Sequence, residues 1–244
     1  MTTARIRLFL DQPLAAGQSL ALDEGQAHYL FGVMREGPGS RLLVFNGEDG
    51  EWLAEVSHAG RRGGRLLCVE PVRPQVALAD LWLLFAPVKK ARTDFIVEKA
   101  VELGAARIVP VLTDHTRSER FRADRARAHV REAAEQCGAL TLPEVVEAAP
   151  LAQVLAGWDA ARQIVWADES ASGEGAGRAG LPGLAGPPAA VLIGPEGGFS
   201  PAERERLRGL PFVRAVSLGP RILRAETAAI AALALWQARY GDWG

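Results

Sequence analysis

Apolar residues follow two different regimes along the chain. Up to about residue 70 they come in runs of about five: IRLFL at 6–10, RLLVF at 41–45, WLAEV at 52–56 and RLLCV at 65–69. Turn signals separate them, among them Gly37-Pro38-Gly39, Gly47-Glu48-Asp49-Gly50 and Gly60-Arg61-Arg62-Gly63-Gly64. Short strands punctuated by glycine turns predict a small β-barrel or sandwich. A helical turn or two is expected over Gln26–Arg35. Past Pro71-Val72-Arg73-Pro74 the pattern changes to strand–helix alternation. The domain boundary is therefore expected at this joint, giving domains 1–72 and 73–244.

In the second domain, LWLLFAPV (81–88) is an unbroken apolar run, as for a parallel strand buried on both faces. A helix is predicted over Thr93–Leu103, with Val97, Ala100 and Val101 on one face and Gly104 as its stop. RIVPVL (107–112) reads as a strand in which Pro110 suggests an edge or a bulge. A long helix is expected over Arg122–Cys137, ended by Gly138. QIVWA (163–167), AAVLI (189–193) and VRAVSL (213–218) are further strands, and Ala225–Tyr240 is a closing helix. Alternation of this kind predicts an α/β layer with a mainly parallel sheet. Residues 170–188 are Gly/Ala/Pro-rich without periodicity and read as a surface loop.

Composition narrows the function classes. The chain has 244 residues, 28 basic and 29 acidic, for a net charge of -1. Bulk positive charge is thus not how it meets a nucleic acid. Cys68 and Cys137 are its two cysteines, which excludes a disulfide-dense scaffold and a four-cysteine zinc site. The histidines (His28, His58, His115, His129) are scattered, so no metal is expected, and His115 and His129 read as structural or solvated. The start of the chain lacks the apolar core of a signal peptide. The longest apolar run, Ala228–Trp236, is nine residues, against about 20 for a membrane span. These features predict a soluble, cytoplasmic protein with reduced thiols.

Two segments carry candidate chemistry. Ile193-Gly194-Pro195-Glu196-Gly197-Gly198-Phe199-Ser200 leaves a buried strand and opens a helix with Ser200 as N-cap, Pro201 at its first position and Glu203 completing a capping box. Its glycines allow close backbone approach to a ligand. It has neither the Gly-Lys-Ser/Thr ending of a Walker loop nor the spacing of a dinucleotide fingerprint. Leu218-Gly219-Pro220-Arg221-Ile222-Leu223-Arg224-Ala225-Glu226-Thr227 likewise joins a strand to a very apolar helix. Charges there need partners or a ligand, and an Arg–Glu pair capping the helix is the plain alternative.

The two segments in this order resemble the RsmE family, the 16S rRNA uridine-N3 methyltransferases of the SPOUT class. His28-Tyr29-Leu30-Phe31-Gly32-Val33-Met34-Arg35 is similar to the family's H-x-x-x-V-L-R segment. Arg92–Gly104 is similar to its K-x-E-x-x-x-x-K-x-x-E-L-G helix, and Glu132–Gly138 to its E-A-x-E-Q-C/S-G segment. Lys90-Ala91 and Ala139 depart from the family pattern. The resemblance implies a PUA-like β-barrel, then a SPOUT α/β domain with a C-terminal trefoil knot, a fold feature that pattern reasoning does not propose. It also implies a homodimer, which gives the apolar last helix a partner.

The same resemblance implies that S-adenosyl-L-methionine is held by Ile193, Gly194, Pro195, Glu196, Gly197 and Gly198, by Leu218, Gly219, Ile222 and Leu223, and by Thr227. The implied acceptor is one uridine N3 of 16S rRNA in the small ribosomal subunit. Uracil N3 is a poor nucleophile until it loses its proton. Arg224, then Arg221, are the candidates to stabilise the imide anion, and Glu226 and Glu196 the candidates to take the proton. For RNA, residues 117–131 hold six arginines against Glu119 and Asp124. That run is either a solvated helix face or a phosphate contact. Arg117, Arg120 and Arg122 there, with His28, Arg35, Arg61 and Arg62, form the candidate RNA track.

Overall fold

The computed structural model describes residues 6–117, 121–171 and 186–243. Two compact units are present, one running to Ala77 and adding Ala134–Thr141, the other comprising Leu78–Ala133 and the chain from Leu142 onward.

The first unit holds β1 (Arg7–Phe9), β2 (Ser19–Leu22), α1 (Glu24–Ala27), a π-helical turn over His28–Val33, β3 (Arg41–Phe45), β4 (Glu51–Gly60) and β5 (Gly63–Arg73). These strands form one sheet in the order β1-β3-β4-β5-β2, antiparallel except for β1 with β3. Alternation puts Leu20, Leu42, Val44, Val56, Leu66 and Cys68 on its buried face. β2 was not expected, because its Ser-Leu-Ala-Leu pattern is short. The expected helical turn exists, but in two parts. Asp23 caps α1 through a capping box with Gln26, and the π turn then carries the chain to Arg35 at φ 59°. Gly64 lets that turn dock, since a Cβ there would sit 2.6 Å from the Phe31 ring.

The second unit contains β6 (Leu81–Phe85), α2 (Lys90–Glu102), β7 (Arg107–Leu112), α3 (Ala123–Cys137, whose residues from Ala134 on belong to the first unit), β8 (Glu144–Val145), β9 (Ala149–Pro150), α4 (Leu151–Ala156), β10 (Gln163–Ala167), β11 (Ala189–Ile193), α5 (Pro201–Gly209), β12 (Val213–Val216) and α6 (Ala225–Tyr240). Its sheet runs β12-β10-β11-β6-β7-β8, all parallel, with β9 beside the end of β7. Every residue of β11 is buried, as expected for a strand covered on both faces.

Pro110 corrects one expectation. β7 is an inner strand, paired with β6 on one side and with β8 and β9 on the other. The Ile108 carbonyl accepts from Val146 N–H on the β8 side, so Pro110, two residues on, turns its missing N–H the same way. There it falls in the gap between β8 and β9, where no ladder bond is lost. Helix ends follow the expected punctuation: Gly104 and Gly138 take φ +67° and +83° just past α2 and α3.

A buried carboxylate organises the first unit. Glu51, 2% exposed, accepts from Arg7 Nε at 2.7 Å and from Arg73 Nε and Nη2 at 2.8 Å. The same two guanidiniums cap the end of α3. Arg7 donates to the carbonyls of Ala134 and of Ala139, the latter at 2.9 Å, and Arg73 to that of Gly138 at 3.0 Å. Cations on orphan carbonyls at a helix C-terminus also suit its dipole.

Burial pushes the Glu51 carboxyl up, but hydrogen bonds from Arg73 and Arg7 outweigh it and hold the pKa below the usual glutamate value. A depressed folded-state pKa gives stability that is present above the ordinary glutamate range and lost as pH falls through the folded value. Glu51→Gln, which removes the charge between a largely buried Arg7 and a half-exposed Arg73, should cost about 1–3 kcal/mol. It should also flatten the acid limb of stability measured by urea unfolding across pH.

Candidate active site

The parallel strands deliver their carboxyl ends to one edge of the sheet, where open α/β folds place ligands. β11 leads there into Gly194–Gly198, β12 into the turn 217–224, β10 into Asp168 and Glu169, and β7 into Thr113–Thr116. The strongest motif read from the sequence therefore meets the second one at a single edge.

The turn after β11 is shaped by what its glycines touch. A Cβ on Gly194 would lie 2.7 Å from Phe199. Phe199 cannot retreat, because it packs edge-to-face on Trp166 with centroids 5.6 Å apart, and both rings are buried. Gly198 takes φ +64°, and a Cβ there would run into the Glu169 carboxylate. Its N–H closes the turn on the Pro195 carbonyl at 2.9 Å. Ile193 ends the strand, its carbonyl bound by Ala86 N–H at 2.9 Å. The turn then enters α5 through the expected capping box, with Ser200 and Glu203 reciprocally bonded and Pro201 in the first turn.

The loop after β7 supports this turn, and His115, read from the sequence as structural or solvated, takes the structural role. His115 Nδ1 lies 2.9 Å from the Gly197 carbonyl and 3.2 Å from that of Gly198, which requires the proton on Nδ1. Ser200 Oγ donates to Asp114 at 2.6 Å, and Asp114 N–H donates to Glu203 at 3.0 Å. From the other side Arg204 binds Glu169 at 2.5 Å, and Arg208 binds buried Asp168 at 3.0 Å. The turn is thus held from both sides, while Glu196 and Gly197 at its tip are exposed.

The second motif is looser. Ser217 Oγ bonds the N–H and carbonyl of Gly219, which takes φ +113°. Leu218 and Leu223 are half-buried, Thr227 is exposed, and Ile222 is 78% exposed. Leu218, Arg221 and Leu223 line a crevice with Ala167, Asp168, Glu169 and Ala228. Its volume is about 40 Å³, against roughly 300 Å³ and more for small-molecule clefts. With few local bonds, the 217–224 turn is the less firmly held wall of this crevice.

The charges pair otherwise than in the helix-cap alternative. Arg224 occupies the N-cap position of α6 without a side-chain bond. Among the described residues neither Arg221 nor Arg224 has a hydrogen-bond or ion-pair partner, and both are exposed. Glu226 is instead met by Arg92 of α2, Nε to Oε1 at 3.6 Å, and the same guanidinium reaches Glu196 at 3.1 Å. Arg92 thereby draws together the two candidate carboxylates from different motifs. The sequence signal for it was present only as the first residue of the family-like helix. Glu226 Oε2 is buried and has no partner among the described residues. Leaving a buried acceptor unsatisfied costs about 1–3 kcal/mol, more if charged, so this oxygen marks a place for a donor supplied by a ligand.

The candidate RNA residues divide. His28, Arg35, Arg61 and Arg62 are all exposed on the first unit. Arg117 is exposed, and Arg120 lies outside the described residues. Arg122 is exposed but engaged with Asp124 in two bonds, 3.0 and 2.6 Å. That pair holds Asp124 at about 2. Arg125 is held by Asp94, and Arg127 lies 3.7 Å from Glu147. Much of the arginine-rich run is therefore locally neutralised. Among the described residues no group of His, Cys, Asp and Glu is arranged to hold a metal, and no helix is long and apolar enough to cross a membrane.

Comparison with known proteins agrees with this geometry. Residues 75–237 match the RNA methyltransferase domain family, and residues 22–66 the RNA methyltransferase PUA domain. The ribosomal RNA small subunit methyltransferase E of Rickettsia conorii is 29% identical over 229 residues, 93% of each chain. That of Synechocystis sp. is 32% identical, over 88% of this chain and 72% of its own. Among solved structures, ribosomal RNA small subunit methyltransferase E from Neisseria gonorrhoeae bound to S-adenosyl methionine superposes with a TM-score of 0.85 at 26% identity, over 98% and 99% of the two chains. A methyltransferase from Legionella pneumophila in complex with its bound cofactor SAM gives 0.84 at 28% identity, over 97% and 98%.

The turn geometry yields a stability test. Gly198→Ala forces a Cβ into the left-handed region, which costs about 1–2 kcal/mol, and against Glu169 as well. Its thermal midpoint should drop by several degrees, while Gly157→Ala, which meets nothing within 4 Å, should stay near wild type.

Proposed function

The chain belongs to the ribosomal RNA small subunit methyltransferase E family of RNA methyltransferases, and on that premise we propose that it methylates N3 of one uridine of 16S rRNA in the small ribosomal subunit, with S-adenosylmethionine as donor. The observation that carries this reading is the buried Glu226 Oε2 with Arg221 and Arg224, all without a partner among the described residues, at the same sheet edge as a glycine-lined turn. The residues present fit the donor. Main chain at Gly194–Gly198 and Leu218–Leu223, with Thr227, would hold it where side chains leave no room.

When bound, S-adenosylmethionine supplies an electrophilic methyl group on a sulfonium. The rest is work for this chain's residues. Glu226 Oε2 takes the N3 proton of uracil, and its partner oxygen Oε1 is anchored by Arg92. The N3 lone pair freed in this way would form the new bond to the methyl carbon as the sulfur–methyl bond breaks, its electron pair returning to sulfur so that the neutral thioether leaves. Arg224, with Arg221 behind it, stabilises the negative charge spread over O2 and O4 of the ring, a preorganised-donor role commonly worth about a hundredfold or more in rate. Glu196, exposed and held by Arg92, stands as the second carboxylate. Once the donor is in place, the 217–224 turn covers it and excludes water, which favours an anion meeting a cation.

The rest of the reading concerns assembly. The first unit, with His28, Arg35, Arg61 and Arg62 outward, serves as the RNA-binding domain, joined by Arg117, Arg120 and Arg122. The tail is threaded as a trefoil knot. The protein works as a cytoplasmic homodimer, with the Leu235 side of α6, 43% exposed at that residue, as the dimer face.

Nucleoside mass spectrometry of small-subunit rRNA from a deletion strain tests the activity. One N3-methyluridine should disappear and return with the wild-type gene. A ribose-methylated nucleoside disappearing instead, or no loss at all, would contradict it. Arg224→Ala should lower turnover by about a hundredfold or more, with donor affinity by calorimetry within a few-fold. Wild-type turnover in that variant would remove Arg224 from the mechanism.

A further inference from the structure

We propose that the cavity between α2 and α3 binds a second, unstacked nucleotide of the substrate RNA, distinct from the uridine that is methylated. The inference rests on the RNA methyltransferase reading and extends it to how the substrate is gripped. The cavity measures about 340 Å³, within the range of small-ligand clefts. It opens just past β6, on the segment Ala86–Val88, which is hydrogen-bonded to the end of β11. It therefore shares the sheet edge of the candidate active site.

The lining matches the parts of one nucleotide. Val88, Val97, Phe121 and Ala126 give an apolar wall, and Phe121 is fixed edge-to-face on Phe85 with centroids 6.3 Å apart. Arg125 and Asp94 form a planar two-bond pair at 3.2 and 2.7 Å. Such a guanidinium plane is a surface on which unstacked RNA bases rest. Lys90 at the rim is exposed and has no hydrogen-bond or ion-pair partner among the described residues. Arg122 is already paired with Asp124. One uncommitted cation beside one base-sized apolar wall is the complement of one phosphate and one base.

A second large cavity, near Trp82, lacks this combination. Its cations are spent: Arg162, itself buried, is bound to exposed Asp80 at 2.6 Å, and Arg107 to Glu144 at 3.1 Å. Both guanidiniums also lie over the Trp82 ring, at 3.8 and 4.4 Å. That cavity also sits at the opposite edge of the sheet, by the start of β6 and β7.

The test uses the full-length protein and undermethylated small subunits purified from a deletion strain, at several salt concentrations. Ala126→Phe, which fills the cavity, should raise KM for subunits about tenfold while leaving kcat, donor affinity and the salt slope close to wild type. Lys90→Glu, a fully exposed change that keeps the test standing if Ala126→Phe does not fold, should raise KM and reduce the salt slope by about 0.7, the value for one phosphate on a single strand. Wild-type KM in Lys90→Glu, or in folded Ala126→Phe, overturns the proposal. A loss of donor affinity in both variants also overturns it, because the cavity would then serve the donor. Wild-type protein that transfers no methyl group to these subunits overturns the parent reading instead, and this proposal with it.

Discussion

Strand β11 leaves the protein little choice about where its site can be. It is buried along its whole length and paired on both sides, with β10 and with β6. Its first residue beyond the sheet, Gly194, is pressed against Phe199, which is itself clamped by Trp166. A side chain at that position would have to displace two packed aromatic rings. The backbone is consequently bare where it emerges, and a bare, pinned backbone at the carboxyl edge of a parallel sheet is what a ligand with many polar edges needs. The surrounding contacts defend this arrangement: His115 holds the Gly197 and Gly198 carbonyls, and the Ser200–Glu203 cap ties the turn to Asp114.

Charge is distributed along the same logic. Carboxylates that serve structure are saturated: Glu51 by two arginines, Asp168 by Arg208 and Ser170, Asp80 by Arg162. Against that background Glu226 Oε2 and the guanidiniums of Arg221 and Arg224 are conspicuous for having no partner among the described residues. A rigid turn on one wall and a weakly bonded turn on the other also explain why the crevice is nearly closed, at about 40 Å³. Binding would open the looser wall and leave the firm one in place.

What could be read from the sequence was local. The Ser200–Glu203 capping box, the stops at Gly104 and Gly138, the long parallel strands and the closing helix are each determined by residues within a few positions of one another, and each stands where the pattern put it. What escaped depends on partners far along the chain. β2, β8 and β9 exist because a neighbouring strand needs its edge covered. Pro110 is tolerated inside a sheet because two short strands leave a gap opposite it. Arg92 lies more than a hundred residues from both carboxylates it joins, and His115 is 82 residues from Gly197. The acceptor chemistry came only from the family likeness, since no periodicity encodes which nitrogen is methylated.

The central claim is that the methyl donor is gripped by main chain at this one sheet edge. Backbone amide hydrogen exchange, followed by mass spectrometry with and without S-adenosylmethionine, tests it most directly. The account predicts that added donor slows exchange in peptides spanning 193–199 and 217–224, with the larger change in the second, and leaves the Trp82–Arg107 edge as it was. Protection confined to other segments, or none in either turn at saturating donor, would contradict it.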